Sequence, residues 1–325
     1  MEDARSSPYQ LENLRLKVLF EKYGIYIFLV ILFIFASIVS PGFLRPMNLR
    51  DVLNQAAPLA MVSIGQTFVI LTGNGGIDLS VASVMATVAV IVAYITGGQN
   101  ALLLAAIAVC IPFGLLVGAI NGLLITKRRV PPFMATMGMM TIIQGFRFLF
   151  TKGAPKGDLP PFLRILGTGT LGPIPVSILS LIGLAVIAAV ILRKTAFGRQ
   201  VYAIGGNRKT AYISGYNNDL IITVTYMVSG LTATIGGIYL AGWIGIIDNW
   251  VGKGYELNSI AAVVMGGTSF EGGRGGILGT VVGVVIMVLL FNIVLLLHFP
   301  VQAQLIVKGA VFIFAAALYV RRSIR

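Results

Sequence analysis

From Tyr23 almost to the carboxyl end, the chain is a succession of apolar runs separated by short polar or glycine-rich breaks. Runs of roughly 17 to 25 residues cross about 30 Å of hydrocarbon at about 1.5 Å per residue. In lipid only a helix or a closed barrel satisfies its own backbone groups. This pattern confines the chain to an all-α polytopic membrane fold. The candidate spans fall at about 23–40, 55–72, 79–96, 101–126, 133–150, 173–192, 220–243, 257–270, 277–297 and 302–320, about ten transmembrane helices in all. The eighth, around "NSIAAVVMGGTSF", is too short to cross alone and fits a re-entrant segment.

Charge sets the topology. Only 11% of residues are charged and the mean hydropathy is +0.92, yet the formal net charge is +13. The basic residues form no continuous stripe, so nucleic acid is excluded as the explanation and membrane topology is preferred. With the amino terminus inside, most of them fall in cytoplasmic segments, as the positive-inside rule requires. These are Arg5, Arg15, Lys17 and Lys22, then Lys127 to Arg129, then Arg193, Lys194, Arg199, Arg208 and Lys209, then Arg274, Arg321, Arg322 and Arg325. Both termini are expected in the cytoplasm. The first 22 residues mix acids with bases, unlike the positive head of a secretory signal, so the first span is read as retained.

Two stretches related by a weak internal repeat carry the acids. "GIDLSVAS" (Gly76–Ser83) and "GYELNSIA" (Gly254–Ala261) share a glycine, a bulky residue, an acid, a leucine and a polar residue opening an apolar helix. "GLLVGAI" (Gly114–Ile120) similarly matches "GTVVGVV" (Gly279–Val285). The first acid lies on the cytoplasmic side and the second outside, which makes the halves an inverted internal repeat, at about 55–150 and 220–320. Asp78 and Glu256 read as helix N-caps, with an ion-coupling or substrate role as the alternative. Gly75, Gly76, Gly266 and Gly267 are expected to break the backbone at membrane depth or to let helices pack closely.

The remaining polar residues within the spans are mostly amides. Gln66, Asn74, Gln144 and Asn292, together with Asp78 and Glu256, are the candidates for a translocation path, because an amide both donates to and accepts from the hydroxyls of a neutral solute. Helix-to-helix hydrogen bonding is the alternative for each. The sequence offers no proton-relay chain of acids and histidines, no metal cluster and no nucleophile; Cys110 sits in an apolar run and His298 at a loop edge. "GGNRKT" (Gly205–Thr210) lacks the glycine before lysine that a phosphate loop needs, so no catalytic residue and no cofactor are assigned to this chain. The cytoplasmic segment 193–219 contains "NRKTAYIS", a short helix capped by Asn207 and stopped by Gly215, suited to dock a soluble partner.

Together these motifs, with "GYELNSIAAVVMGGTSFEGGRGG", resemble the ribose/xylose/galactoside-type permeases of bacterial ABC sugar importers over about residues 40–320. The resemblance implies a single permease domain over 1–325, in the inner membrane, paired with a second permease copy or paralogue. It further implies two cytoplasmic ATPase subunits that bind ATP and Mg, a periplasmic sugar-binding protein, and contact with membrane lipid but not nucleic acid. By the same resemblance Asn207, Arg208, Ala211, Ser214 and Gly215 belong to the ATPase-coupling helix. The chain differs from the family pattern at Ala82, at Glu271, and at Gln144-Gly145, where an arginine precedes the glycine in the pattern. The resemblance implies that the solute is a monosaccharide or similar small polyol, with import of nucleosides or branched-chain amino acids, or an ion-coupled secondary transporter, as the other readings.

Overall fold

The computed structural model describes residues 8–300, 302–307 and 309–310. The expected tenth span at about 302–320 lies mostly outside the described residues, as do both termini.

Prolines start several helices, because a fixed φ suits the first turn and the missing N–H is not needed there. α2 (Pro46–Leu71), α5 (Pro132–Thr151) and α6 (Pro161–Thr168) all begin this way, while α3 (Val81–Thr96) ends on a left-handed Gly97 and α10 (Asn218–Ile244) on a left-handed Gly245. The other helices are α1 (Pro8–Val39), α4 (Leu103–Lys127), α7 (Val176–Lys194), α8 (Ala196–Gly206), α9 (Arg208–Ile213), α11 (Tyr255–Met265) and α12 (Ile277–Leu296). A small hairpin of β1 (Thr170–Leu171) and β2 (Ile174–Pro175) precedes α7. Nine of the ten expected spans thus correspond to helices among the described residues. Five are long and apolar enough to cross a membrane: α4 with its preceding 3-10 turn, α5, α7, α10 and α12.

Three features differ from the sequence reading. The 193–219 segment is not a loop around one helix but two consecutive helices, α8 and α9. α6, absent from the expected elements, packs on the end of α10, where Leu163 and Gly167 meet Gly242 and Trp243. α3 is shorter than a span: at about 1.5 Å per residue its 16 residues reach about 24 Å, less than a bilayer core, while α11, expected to be too short to cross alone, is so at 11 residues.

α2 and α10 form the centre. Both are buried along much of their length, whereas α1, α5 and α7 turn large apolar side chains such as Ile38, Leu149 and Ile187 outward, as lipid-facing helices do. Backbones approach through small residues. Gly114, Gly118 and Gly122 of α4 lie against Gly230, Tyr226 and Thr223 of α10, and Gly279 and Gly283 of α12 lie against Gly266 and Ala262. The substantial contacts among six helices are α2 with α10, α3 with α11, α4 with α10, α2 with α12, α3 with α10, α2 with α11, α3 with α4, and α11 with α12. Exchanging α2 with α10, α3 with α11 and α4 with α12 reproduces that same set.

The bundle has two distinct ends. One carries α8, α9, the end of α2 and the starts of α5, α10 and α12. The other carries α6, the hairpin, the start of α2 and the ends of α3, α5, α10 and α12.

Candidate functional site

Between α2 and α3 the chain leaves the α9 end and climbs back into the bundle before α3 begins. Positive φ at Gly73 and Gly75, and at Asn74 between them, makes the reversal. Asp78 then lies 1% exposed among neutral polar groups. Its carboxylate accepts from the Ser80 amide (3.0 Å), the Ser80 hydroxyl (2.6 Å) and the Ser229 hydroxyl of α10 (2.7 Å). Gln66 of α2, fully buried, brackets the Asp78 peptide unit: in the amide orientation that satisfies both groups it accepts from the N–H at 3.0 Å and donates to the C=O at 3.3 Å. Asn121 of α4 donates to Ser80 Oγ (2.9 Å), and the Tyr226 hydroxyl donates to the Ile77 carbonyl (3.2 Å). A buried carboxylate is tolerable only when well hydrogen-bonded: the pre-helical turn and α10 supply its donors, while α2 and α4 brace the turn that carries it.

The N-cap reading of Asp78 is corrected. α3 begins at Val81, so the cap position belongs to Ser80, whose own side chain makes no capping bond. Asp78 stands two residues earlier and joins the pre-helical turn to α10. Glu256 is likewise not the N-cap, a position held by Gly254; from the first turn of α11 its Oε2 accepts from the Gly254 N–H at 2.9 Å.

The other path candidates do not gather around Asp78. Asn74 is exposed at the α9 end and lines a cavity there. Asn292 forms a reciprocal amide pair with Asn48 at the opposite end (2.8 and 3.2 Å), joining α12 to α2. Gln144 is half-buried on α5. One turn on, Arg147 is the residue that sequence reasoning passed over: it is buried and clamps three elements. One guanidinium nitrogen donates to the Ser83 carbonyl (3.1 Å) and Thr87 Oγ1 (3.2 Å) of α3, and the other to the Asn249 carbonyl (2.8 Å) of the α10–α11 loop. That loop dips in far enough for Gly252 to approach Ala82 and Met85.

The glycines divide by role. Gly75 and Gly267 adopt left-handed φ in open space, so they are backbone reversals. Gly76 and Gly266 have ordinary φ but no room for a side chain: a Cβ would lie 2.8 Å from the Val69 oxygen and 2.4 Å from the Gly279 oxygen. A further junction was not anticipated. A Cβ on Gly205, near the end of α8, would lie 1.9 Å from the Leu71 carbonyl oxygen and 2.4 Å from the Gly273 amide nitrogen, and one on Gly272 would lie 2.5 Å from Gly73 Cα. Gly273 N–H also donates to the Leu71 carbonyl (3.0 Å). Backbone therefore touches backbone where α8 meets the α2–α3 and α11–α12 breaks.

From this junction the chain runs directly into α9. Asn207 caps it by accepting from the Thr210 N–H (3.0 Å), and left-handed Gly215 follows its end. Ala211 is buried underneath, Arg208 is partly buried, and Ser214 takes the C-cap position. The outward apolar pair is Tyr212 and Ile213, 72% and 75% exposed.

A family model described as "Branched-chain amino acid transport system / permease component" matches residues 48–316, which takes in nearly all of α2 and everything from there through α12. The chain belongs to this permease family. It is 41% identical over 306 residues to the ribose import permease of Bacillus subtilis, covering 93% of this chain and 94% of that one. The ribose import permease of Escherichia coli K12 is 38% identical over 88% of this chain and 90% of its own length. The galactose/methyl galactoside import permease of the same organism is 33% identical over 91% and 93%. No solved structure matches the chain. Family membership covers both acid-bearing breaks, the Arg147 clamp and the α8–α9 pair, so each belongs to the permease body.

Proposed function

We propose that this permease moves a monosaccharide, with ribose the first choice, across the bacterial inner membrane as the transmembrane subunit of an ATP-driven importer. The carrying observation is likeness to ribose and galactoside import permeases over nearly the whole of both chains. The family model's description alone would admit a branched-chain amino acid, but the full-length relatives weigh toward sugar.

The α9 end is read as cytoplasmic, since it holds Lys127 to Arg129, Arg193, Lys194, Arg199, Arg208 and Lys209. A second permease copy or paralogue completes the pore, two ATPase subunits supply ATP and Mg, and a periplasmic binding protein delivers the sugar. α9 enters a cleft of the ATPase through Tyr212 and Ile213, and movement of α8 reaches both broken segments through the Gly205 junction. The helix exchange that preserves the contacts supports two inverted halves, a design suited to alternating access. Asp78, Gln66 and Asn121 then hold one break in place, and loosening that network on one side opens the path.

The test is uptake of labelled ribose, galactose and leucine into vesicles bearing the complex, each with a binding protein specific for it. Ribose or galactose uptake is expected; uptake of leucine with neither sugar transported overturns the assignment.

A further inference from the structure

A cavity of about 570 Å³ opens at the α9 end, between the α4–α5 turn, the start of α9 and the start of α10. Its walls are of two kinds. Ile125, Val130, Pro131, Pro132 and Ile222 are apolar, while Arg129, Arg208, Asn218 and Asn74 bring charge and amides. The charge is unbalanced. Asp219 also lines the cavity, but it is already ion-paired with Lys127 at 2.9 Å. Among the described residues neither Arg129 nor Arg208 has an ion-pair partner, and the buried Nε of Arg208 has no hydrogen-bond acceptor. Asn218 is held by donating from Nδ2 to the Arg208 carbonyl (2.9 Å), which leaves its buried Oδ1 without a donor. Arg129 adopts a left-handed φ of 55°, uncommon for a residue other than glycine, asparagine or aspartate.

Two guanidinium groups ask for an anion that accepts from both, and a vacant amide oxygen asks for a hydroxyl. A phosphate ester with a neighbouring hydroxyl meets both demands, since arginine forks match phosphate oxygens. Beside the cavity, Phe133, Met134 and Leu220 expose large apolar side chains, so the site lies where lipid chains meet the basic end of the bundle. We propose that this cavity binds a hydroxyl-bearing phosphate ester, supplied by an anionic phospholipid headgroup or by a soluble sugar phosphate. Its occupant would touch α9 through Arg208 and the α4–α5 turn through Arg129, tying the two together.

The experiment measures binding to the full chain in detergent by thermal shift and native mass spectrometry. The probes are phosphatidylglycerol, phosphatidylethanolamine, ribose 5-phosphate, inorganic phosphate and ribose. Saturable binding of phosphatidylglycerol or ribose 5-phosphate, weakened by raised salt, is expected, and which of the two binds identifies the source. Arg129→Gln and Arg208→Gln should each weaken it about tenfold, the loss expected for a charge-assisted contact. Arg128→Gln, on an exposed neighbour that does not line the cavity, should leave it unchanged. The inference is overturned if neither phosphate ester binds, if ribose binds as well as its phosphate, or if Arg128→Gln weakens binding as much as the other two. Native mass spectrometry reads occupancy even where a variant lowers the melting temperature, so loss of stability does not mask the answer.

Discussion

Gly205→Ala tests the junction that links α8 to both breaks, and Gly206→Ala supplies its control from the next residue. By helix propensity alone each change should stabilise, by at most about 1 kcal/mol. At Gly206 nothing lies within 4 Å of a new Cβ, so stability should hold or rise. At Gly205 the methyl group would lie 1.9 Å from the Leu71 oxygen, and ordinary contact begins at 3.4 Å, so backbone must part by about 1.5 Å. Overpacking of this kind costs about 1 to 3 kcal/mol. The parting also strains the Gly273 N–H to Leu71 carbonyl bond, worth about 1 kcal/mol. With the propensity gain subtracted, Gly205→Ala should destabilise by about 2 kcal/mol. Thermal unfolding of the purified permease reads the first effect, and ATP-dependent uptake with the reconstituted partners reads the second. Uptake should fall more for Gly205→Ala than for Gly206→Ala while the ATPase still binds. Equal melting temperatures and equal uptake for the two variants would refute the close-packed junction and the force path drawn through it.

Three further outcomes are expected. Asp78→Ala should cost about 2 to 5 kcal/mol, because it strands the Ser80 amide and two hydroxyls, and a double-mutant cycle with Ser229→Ala should show coupling of about 1 kcal/mol or more; additive losses would contradict the contact. Arg147→Lys should destabilise by about 1 to 3 kcal/mol, since a single ammonium cannot reach Ser83, Thr87 and Asn249 with the same fork, and a melting temperature equal to that of the parent would remove the clamp. Tyr212→Asp and Ile213→Asp, on exposed positions, should leave stability within about 0.5 kcal/mol yet release the ATPase, whereas Ala211→Glu, which forces a charge under α9, should lower both; co-purification with the ATPase checks each.

Local signals carried much of this structure. The cap of α9 was legible because Asn207 and Thr210 are three residues apart, and the stop at Gly215 because a left-handed residue ends a helix. What escaped the sequence depends on distant partners. Asp78 reads as a cap until Ser229, 151 residues away, is seen to take its second oxygen. Gln144 and Arg147 lie one turn apart on α5, and only packing shows that Arg147 turns inward to a carbonyl 102 residues away. α6 and α8 were missed because neither has the length or apolar run of a span. Glycines at Gly266 and Gly267 look alike in sequence, yet one is a contact surface and the other a reversal.

ATP hydrolysis by a partner, entering through α9, is the proposed drive of this permease. Its most direct test is ribose uptake into proteoliposomes containing the permease, its ATPase and its binding protein, with ATP supplied or withheld on the ATPase side. Uptake is expected only with ATP, and Tyr212→Asp together with Ile213→Asp should abolish it. Uptake driven by a proton or sodium gradient in vesicles holding the permease alone would contradict it.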